Sequence, residues 1–377
     1  MEDREALNKT ASVIFKEPNS DVVAETKKLS PIQEISHEWG YTSFACPNSV
    51  EPESQGKAQA SSITESAPAR EAEPVNPYSL SVRKALLENT DLSAFANFSR
   101  KSGPLPEAND DLHLDGEMLF FLRKMGDQDK YVYCSSGGNV LVKVDESTVP
   151  WDFYISSQLR ARLPSNLQHC HAVSTCYLYE NGSFTLWRIP QGETIQDLLD
   201  EGLDPRDVPL LAVQLLEMVK QMHSCQLVHG DLRPDTLMLC NSCEDSVVIG
   251  TDFHSSLDLE LQPEVKMVQA LPSAQEYIRQ GLILPTASPY QVDLCGIAEI
   301  VHLLLFGSSL NLVKKDSCWR LAEDFGSKLS EPLGPMWQDF FHNILNPEDK
   351  STECVLSNLI NNLKNVLYDG LECPFSL

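Results

Sequence analysis

The chain of 377 residues contains no apolar run approaching ~18 residues, so no membrane-spanning helix is expected. Basic residues are scarce: 29 Lys and Arg stand against 54 Asp and Glu, for a formal net charge of −25 and a pI near 4.6. A polyanion gains no counterion-release affinity for phosphate backbones, and no basic patch interrupts the acidity. Nucleic acid and acidic membrane surfaces are therefore not expected as partners. Paired Cys/His ligand spacing is also missing. The 11 cysteines are odd in number, and Cys240 and Cys243 have no second pair nearby to complete a zinc site. Free thiols in a reducing compartment follow. Met1-Glu2-Asp3-Arg4 lacks the apolar stretch of a secretory leader. Leucine is rare in the first 76 residues, and Ser, Glu, Pro and Ala dominate from Pro47 to Pro77. Such a stretch buries too little apolar surface to offset its chain entropy, so residues 1–76 are expected to be disordered.

What is present is a core-forming remainder, in a chain that is 42% apolar overall. Residues 77–114 read as a linker carrying a helical segment within 78–97, where Leu80, Lys84 and Leu87 make an imperfect stripe. From about residue 115 the pattern changes to strands at Met118–Leu122, Tyr131–Tyr133 and Val140–Val144, with a hairpin turn at Gly137-Gly138-Asn139. A helix is expected from Trp151 to Leu163. Strands at Ser174–Tyr179 and Phe184–Arg188 follow, joined by Asn181-Gly182. Helices are then expected at Thr194–Leu199, Val208–Cys225 and Val292–Phe306. A small antiparallel sheet lobe followed by a larger helical lobe is an α+β arrangement.

Residues 228–239, Val-His-Gly-Asp-Leu-Arg-Pro-Asp-Thr-Leu-Met-Leu, with Asp252-Phe253-His254 beyond them, resemble the catalytic loop and metal-binding segment of the two-lobed protein-kinase fold. The resemblance implies ATP and Mg²⁺ as possible cofactors and gives particular residues roles. Asp231 takes the place of the catalytic base, in His-Gly-Asp rather than His-Arg-Asp. Arg233 stands where a lysine steadies the γ-phosphate, keeping the charge without the compact ammonium. Thr236 stands where an asparagine binds metal, a shorter and weaker oxygen ligand. Asp252 is the intact metal-binding aspartate, with His254 in place of the glycine after Phe253. Lys143 matches the strand lysine that binds the α/β-phosphates. Asp152 is the nearest counterpart of its helix glutamate, one methylene short, and equally reads as a cap at the start of that helix. Of the Gly-rich phosphate cover only Gly126 is well placed; aligning it with the first glycine puts Gln128 and Tyr131 at the other two, and Asp127 and Asp129 over a polyanion. Asp293, in Ser288-Pro289-Tyr290-Gln291-Val292-Asp293, matches a buried aspartate that caps the catalytic-loop backbone.

Val149-Pro150-Trp151-Asp152-Phe153-Tyr154-Ile155, His229-Gly230-Asp231-Leu232, the Ser288–Leu294 block and Gly296-Ile297-Ala298 together resemble the Bub family of mitotic checkpoint kinases. The short Asp152 and the altered catalytic loop resemble its BubR branch, regarded as pseudokinase. The resemblance covers about residues 20–377, which reads as a carboxy-terminal portion or a short form; the family's helical-repeat domain and KEN-type motifs are absent from this sequence. Its kinase-like domain is expected at 115–368, with a tail at 369–377. Leu29-x-x-Ile32-x-Glu34 resembles the motif that BubR-class proteins offer to the B-prime regulatory subunit of the type 2A phosphatase. Two apolar side chains would fill pockets and Glu34 would meet a basic groove. Ser30-Pro31 is a proline-directed phosphorylation site that would add charge toward that groove.

The resemblance implies a scaffold of the spindle checkpoint that recruits the phosphatase. Mitotic checkpoint and kinetochore proteins would be its partners, and nucleus, kinetochore and cytoplasm its locations. The alternative is an active ATP-dependent serine/threonine kinase that tolerates the substitutions. His-Gly-Asp-Leu-x-Pro also occurs in antibiotic and choline kinases, but those lack the Ser-Pro-Tyr…Asp293 block.

Overall fold

The computed structural model describes residues 76–126, 129–189, 192–241, 246–322 and 333–371. The segment 29–34, with Leu29, Ser30, Ile32 and Glu34, lies outside them, as do Asp127 and Gln128.

The small lobe is a seven-stranded sheet. Its strands are β1 (Phe98–Arg100), β2 (Leu112–Leu114), β3 (Glu117–Met125), β4 (Lys130–Ser135), β5 (Gly138–Asp145), β6 (Ser174–Leu178) and β7 (Ser183–Ile189), in the order β1-β6-β7-β5-β4-β3-β2. Alternation along the strands decides what each face carries. Tyr131, Tyr133, Val140, Val142, Phe184 and Leu186 share one buried cluster with Leu112 and Leu114 of β2. The opposite face presents Val132, Leu141 and Trp187, which share a cluster with Ile155 and Leu159 of helix α2 (Trp151–Arg162). The sheet departs from the expected antiparallel pattern at one edge, where β1 pairs with β6 in parallel. Residues 77–114 thus carry helix α1 (Leu80–Glu88) and also both edge strands. Three-residue strands are too short to show a periodic pattern.

The large lobe is built on α4 (Val208–Ser224), which follows the short capped helix α3 (Ile195–Glu201), together with α6 (Gln291–Phe306), α7 (Leu333–Leu345) and α8 (Thr352–Leu371). In α4 the residues Val208, Leu211, Leu215, Val219 and Met222 recur at helical spacing and are buried. Helix α6 is apolar nearly all round and lies inside. Trp337, Phe340 and Phe341 of α7 join the same core as Leu356 and Leu359 of α8. Each such side chain contributes about 1.5–3 kcal/mol by leaving water. A short α5 (Gln275–Gln280) lies between Asp252 and α6.

Between these layers lie the strands that hold the chemistry-bearing loops. Strands β10 (Leu237–Asn241) and β11 (Ser246–Gly250) are antiparallel, and β8 (Gly192–Thr194) joins β10. Strands β9 (Leu227–Val228) and β12 (Leu257–Asp258) pair with each other. Asp231 therefore leaves one strand pair and enters another, and Asp252 does the same in reverse. A second hairpin, β13 (Leu312–Lys315) with β14 (Cys318–Leu321), follows α6.

Candidate functional site: a cleft neutralised from within

Lys143 of β5 lies on the sheet face that carries Leu141, as period two requires. Its Nζ donates to both carboxylate oxygens of Asp152 at 2.9 Å and to Oδ1 of Asp252 at 2.8 Å. The short aspartate reaches because α2 is held inward. Trp151 Nε1 donates to the Ser256 carbonyl at 3.0 Å, and Tyr154 donates to Asp258 Oδ2 at 2.8 Å. Arg162 grips Asp258 with two bonds of 2.9 and 2.7 Å. Asp152 also accepts from the Phe253 amide at 2.6 Å. Pro150, not Asp152, is the N-cap of α2, so of the two readings of Asp152 the ion pair describes its geometry.

Lys130 opens β4 directly opposite Lys143 in the β4–β5 register. It is 1% exposed. Its Nζ donates to the Asp235 carbonyl at 3.0 Å and lies 3.6 Å from Asp252 Oδ2. Burial alone would depress the Lys143 amine, but Asp152 and Asp252 more than reverse this and raise its pKa. For Lys130 burial prevails over the pull of Asp252, and its pKa falls. Burial would raise the Asp252 carboxyl, but Lys143 and then Lys130 hold it well below the usual carboxylate range.

The catalytic-type loop is neutralised in the same manner. Arg233 pairs with Asp231 through Nη1, and its Nε donates to Asp235 Oδ1 at 3.1 Å. The Thr236 hydroxyl accepts from the Arg233 amide at 3.0 Å and donates to the Arg233 carbonyl at 2.9 Å. It closes its own turn, where the resemblance gave it a metal-binding role; a β-branched side chain this short is captured by the neighbouring backbone.

Under the loop, Asp293 accepts from the amides of His229 and Gly230 at 2.9 and 2.8 Å and lies 2.9 Å from His223 Nε2. This is the capping role its motif implied. His229 is buried against the Phe253 ring, centroids 5.7 Å apart, and burial lowers its pKa.

Gly230 has φ +82°, and a Cβ there would collide with the Ser255 carbonyl oxygen and come within 3.0 Å of the Tyr78 hydroxyl. The arginine that kinases carry here is therefore excluded by local geometry. A buried arginine enters instead from α1: Arg83 lies 4.6 Å above the Trp151 ring and donates to the Ser256 carbonyl at 3.3 Å. Burial lowers its pKa to about 10. Gly230→Ala is expected to cost about 1–3 kcal/mol from backbone strain and the carbonyl clash. Urea unfolding measures this, and a variant as stable as the parent would mean that the loop simply moves.

Gly126 begins the β3–β4 turn with φ +53° and open space around it. The alignment starting from Gly126 places Tyr131 at the last glycine position. In the structure Tyr131 faces the opposite side of the sheet, and Lys130 is the residue that meets the cleft. Lys130 is the cleft residue that the motifs missed. Its signal was its place two residues before core-facing Val132, on the same face of the strand.

The fit to Mg²⁺ and ATP is poor on these observations. The metal-type carboxylate of Asp252 and the base-type carboxylate of Asp231 are both engaged by the chain's own cations, and the expected hydroxyl ligand is turned into its own loop. Among the described residues no cluster of His, Cys, Asp and Glu is arranged to hold a metal.

A sheet lobe over a helical lobe, with a strand lysine, a helix carboxylate and a metal-type aspartate joined between them, defines a protein-kinase-like fold. The chain belongs to the Bub family of mitotic checkpoint kinases. It is 31% identical to the Homo sapiens mitotic checkpoint serine/threonine-protein kinase BUB1 beta over 372 residues, which is 90% of this chain and 34% of that protein. The Mus musculus BUB1 beta protein is 31% identical over 359 residues, 88% of this chain and 33% of its own length. The Mus musculus BUB1 protein is 27% identical over 242 residues, covering 60% of this chain and 23% of its own length. The chain thus spans about a third of the length of the BUB1 beta proteins it matches. A crystal structure of a BubR1 kinase domain shares the fold, with a TM-score of 0.65 at 23% sequence identity, over 78% of this chain and 95% of that one. No family model matches the chain.

Proposed function

We propose that the chain is a pseudokinase scaffold of the spindle assembly checkpoint. It recruits the type 2A phosphatase through Leu29, Ile32 and Glu34 and so supports chromosome attachment at kinetochores. The observation that carries the pseudokinase part is the internal pairing of the cleft: Asp252 with Lys143 and Lys130, and Asp231 with Arg233. Phosphoryl transfer needs those carboxylates free for metal and for the hydroxyl nucleophile. The scaffold part rests on the Leu29-x-x-Ile32-x-Glu34 spacing, strengthened by phosphate at Ser30. Checkpoint and kinetochore proteins are its partners, and nucleus, kinetochore and cytoplasm are where it acts.

Substituting Leu29 and Ile32 by alanine together is expected to abolish capture of the B-prime subunit in a pull-down with purified proteins. A phosphomimetic Ser30→Asp should strengthen capture by the parent sequence. Undiminished capture by the double-alanine variant would remove the docking motif from the proposal.

A second reading, an active serine/threonine kinase, is favoured by the retention of Lys143, Asp231 and Asp252. It requires Mg²⁺-dependent peptide phosphorylation that disappears in Asp231→Asn. No turnover by clean protein ends it.

A further inference from the structure

We propose that Lys130 is a built-in counter-ion that stands in place of a divalent metal at Asp252, latches the two lobes together and excludes Mg·nucleotide from the cleft. The idea rests on the non-catalytic reading of the cleft and adds the residue that enforces it.

Position comes first. A Gly-rich hairpin covers phosphates because missing side chains let backbone N–H groups approach the oxygens. Here the residue that opens β4, opposite Lys143, carries the long side chain of a lysine. Its stem is buried, and its ammonium lies in the cleft.

Connectivity comes second. The one ammonium joins three parts of the chain: β4 of the sheet lobe, the Asp235 carbonyl of the catalytic-type loop, and Asp252 beyond β11. Neither lobe could move away without stranding a buried charge. Next along the same face, Val132 and Leu141 share a buried cluster with Met125 of β3 and with Met238 and Ile249 of the β10–β11 hairpin. Apolar packing therefore continues the closure that the ammonium begins.

Charge balance comes third. Asp152 and Asp252 carry two negative charges, and Lys143 and Lys130 carry two positive ones. The cluster is neutral as it stands. A divalent ion at Asp252 would meet Lys130 at short range, with like charges in a site of low dielectric. The triphosphate that would accompany it would have to enter where the Lys130 stem already lies. The apparent opposite case, a cation welcoming an anionic phosphate, fails because this ammonium already bonds a carbonyl and lies beside a carboxylate.

The test uses the full chain, as parent, Lys130→Gly and Lys130→Met. Thermal unfolding is followed in buffer, with MgCl₂ or MnCl₂ alone, and with Mg·ATP; binding of a fluorescent ATP analogue is measured in parallel. The parent is expected to show no shift with any of these and no analogue binding. Lys130→Gly is expected to melt lower in buffer and to gain about 2–4 °C or more from Mg·ATP. Lys130→Met, which keeps the stem and loses the charge, should gain stability from Mn²⁺ alone. If Lys130→Gly fails to fold, Lys130→Met and the parent still decide the matter. A parent that melts higher with Mg·ATP or binds the analogue overturns the assignment, as does a Lys130→Met protein indifferent to Mn²⁺. Nucleotide binding by the parent without peptide phosphorylation would sink Lys130 as the excluder and leave the pseudokinase scaffold standing. Phosphorylation at a rate ordinary for kinases would sink both.

Discussion

Lys143→Met is expected to lower the free energy of unfolding by about 3–5 kcal/mol, because it leaves buried charge without its partner. In a working kinase the strand lysine faces a nucleotide, and its loss is felt mainly in turnover. Here the ammonium is the common donor to Asp152 and Asp252, whose side chains are 4% and 11% exposed. Without it Asp252 keeps Lys130 at 3.6 Å and the His254 amide at 3.0 Å, and Asp152 keeps the Phe253 amide. Urea denaturation of parent and variant measures the effect. Replacing both charges of one pair, as in Lys143→Met with Asp152→Leu, should recover part of the loss, since apolar groups can replace a buried pair at little cost. A loss below about 1 kcal/mol for the single variant would place Lys143 among solvated, surface-like pairs and contradict the closed cleft.

Asp293→Ala is expected to cost a similar 3–5 kcal/mol and to loosen the 228–236 loop. The carboxylate is 1% exposed and accepts two backbone amides, and it lies within bonding distance of a histidine ring nitrogen. Alanine strands all three groups in the interior, where an unmade bond to a buried group costs more than a made one contributes. Asp293→Asn, which retains one acceptor oxygen, should lose less. Burial acts to raise this carboxyl's pKa, but the His223 hydrogen bond and then the neighbouring imidazoles and the Gly230 amide prevail and lower it. The sign follows from that direction. The stabilisation is complete above the unfolded aspartate value of about 3.9 and disappears as pH falls through the lower folded value. Parent and Asp293→Ala should therefore converge in stability on acidification. A constant difference between them would assign Asp293 a packing role without charge.

Much of this was legible along the chain because it is local. Helix α2 is announced by Phe153, Ile155 and Leu159, and α6 by its dense apolar content between Val292 and Phe306. Lys143, Asp231, Asp252 and Asp293 stand in recognisable strings, since each role there needs one residue type beside a particular turn or strand. Other parts were hidden because they are pairings. The parallel β1–β6 contact joins Phe98 to Cys176, residues far apart in the chain and in strands too short to carry a pattern. The stacking of Arg83 on the Trp151 ring is of the same kind.

Lys130 shows most clearly where local reading ends. Residue types and their order announced a sheet segment followed by helices, because alternation and helical spacing dictate which side chains leave water, and the resemblance to protein kinases added the two lobes. Of a glycine-rich phosphate cover those residues kept Gly126 alone. Which residue fills the space was a matter of strand register, and a slip of one position exchanges the two faces of a sheet. The β4–β5 register sets Lys130 and not Tyr131 against Lys143. Only the assembled lobes then bring that ammonium to Asp235 and Asp252, more than a hundred positions away, where low dielectric strengthens the attraction between its charge and the Asp252 carboxylate.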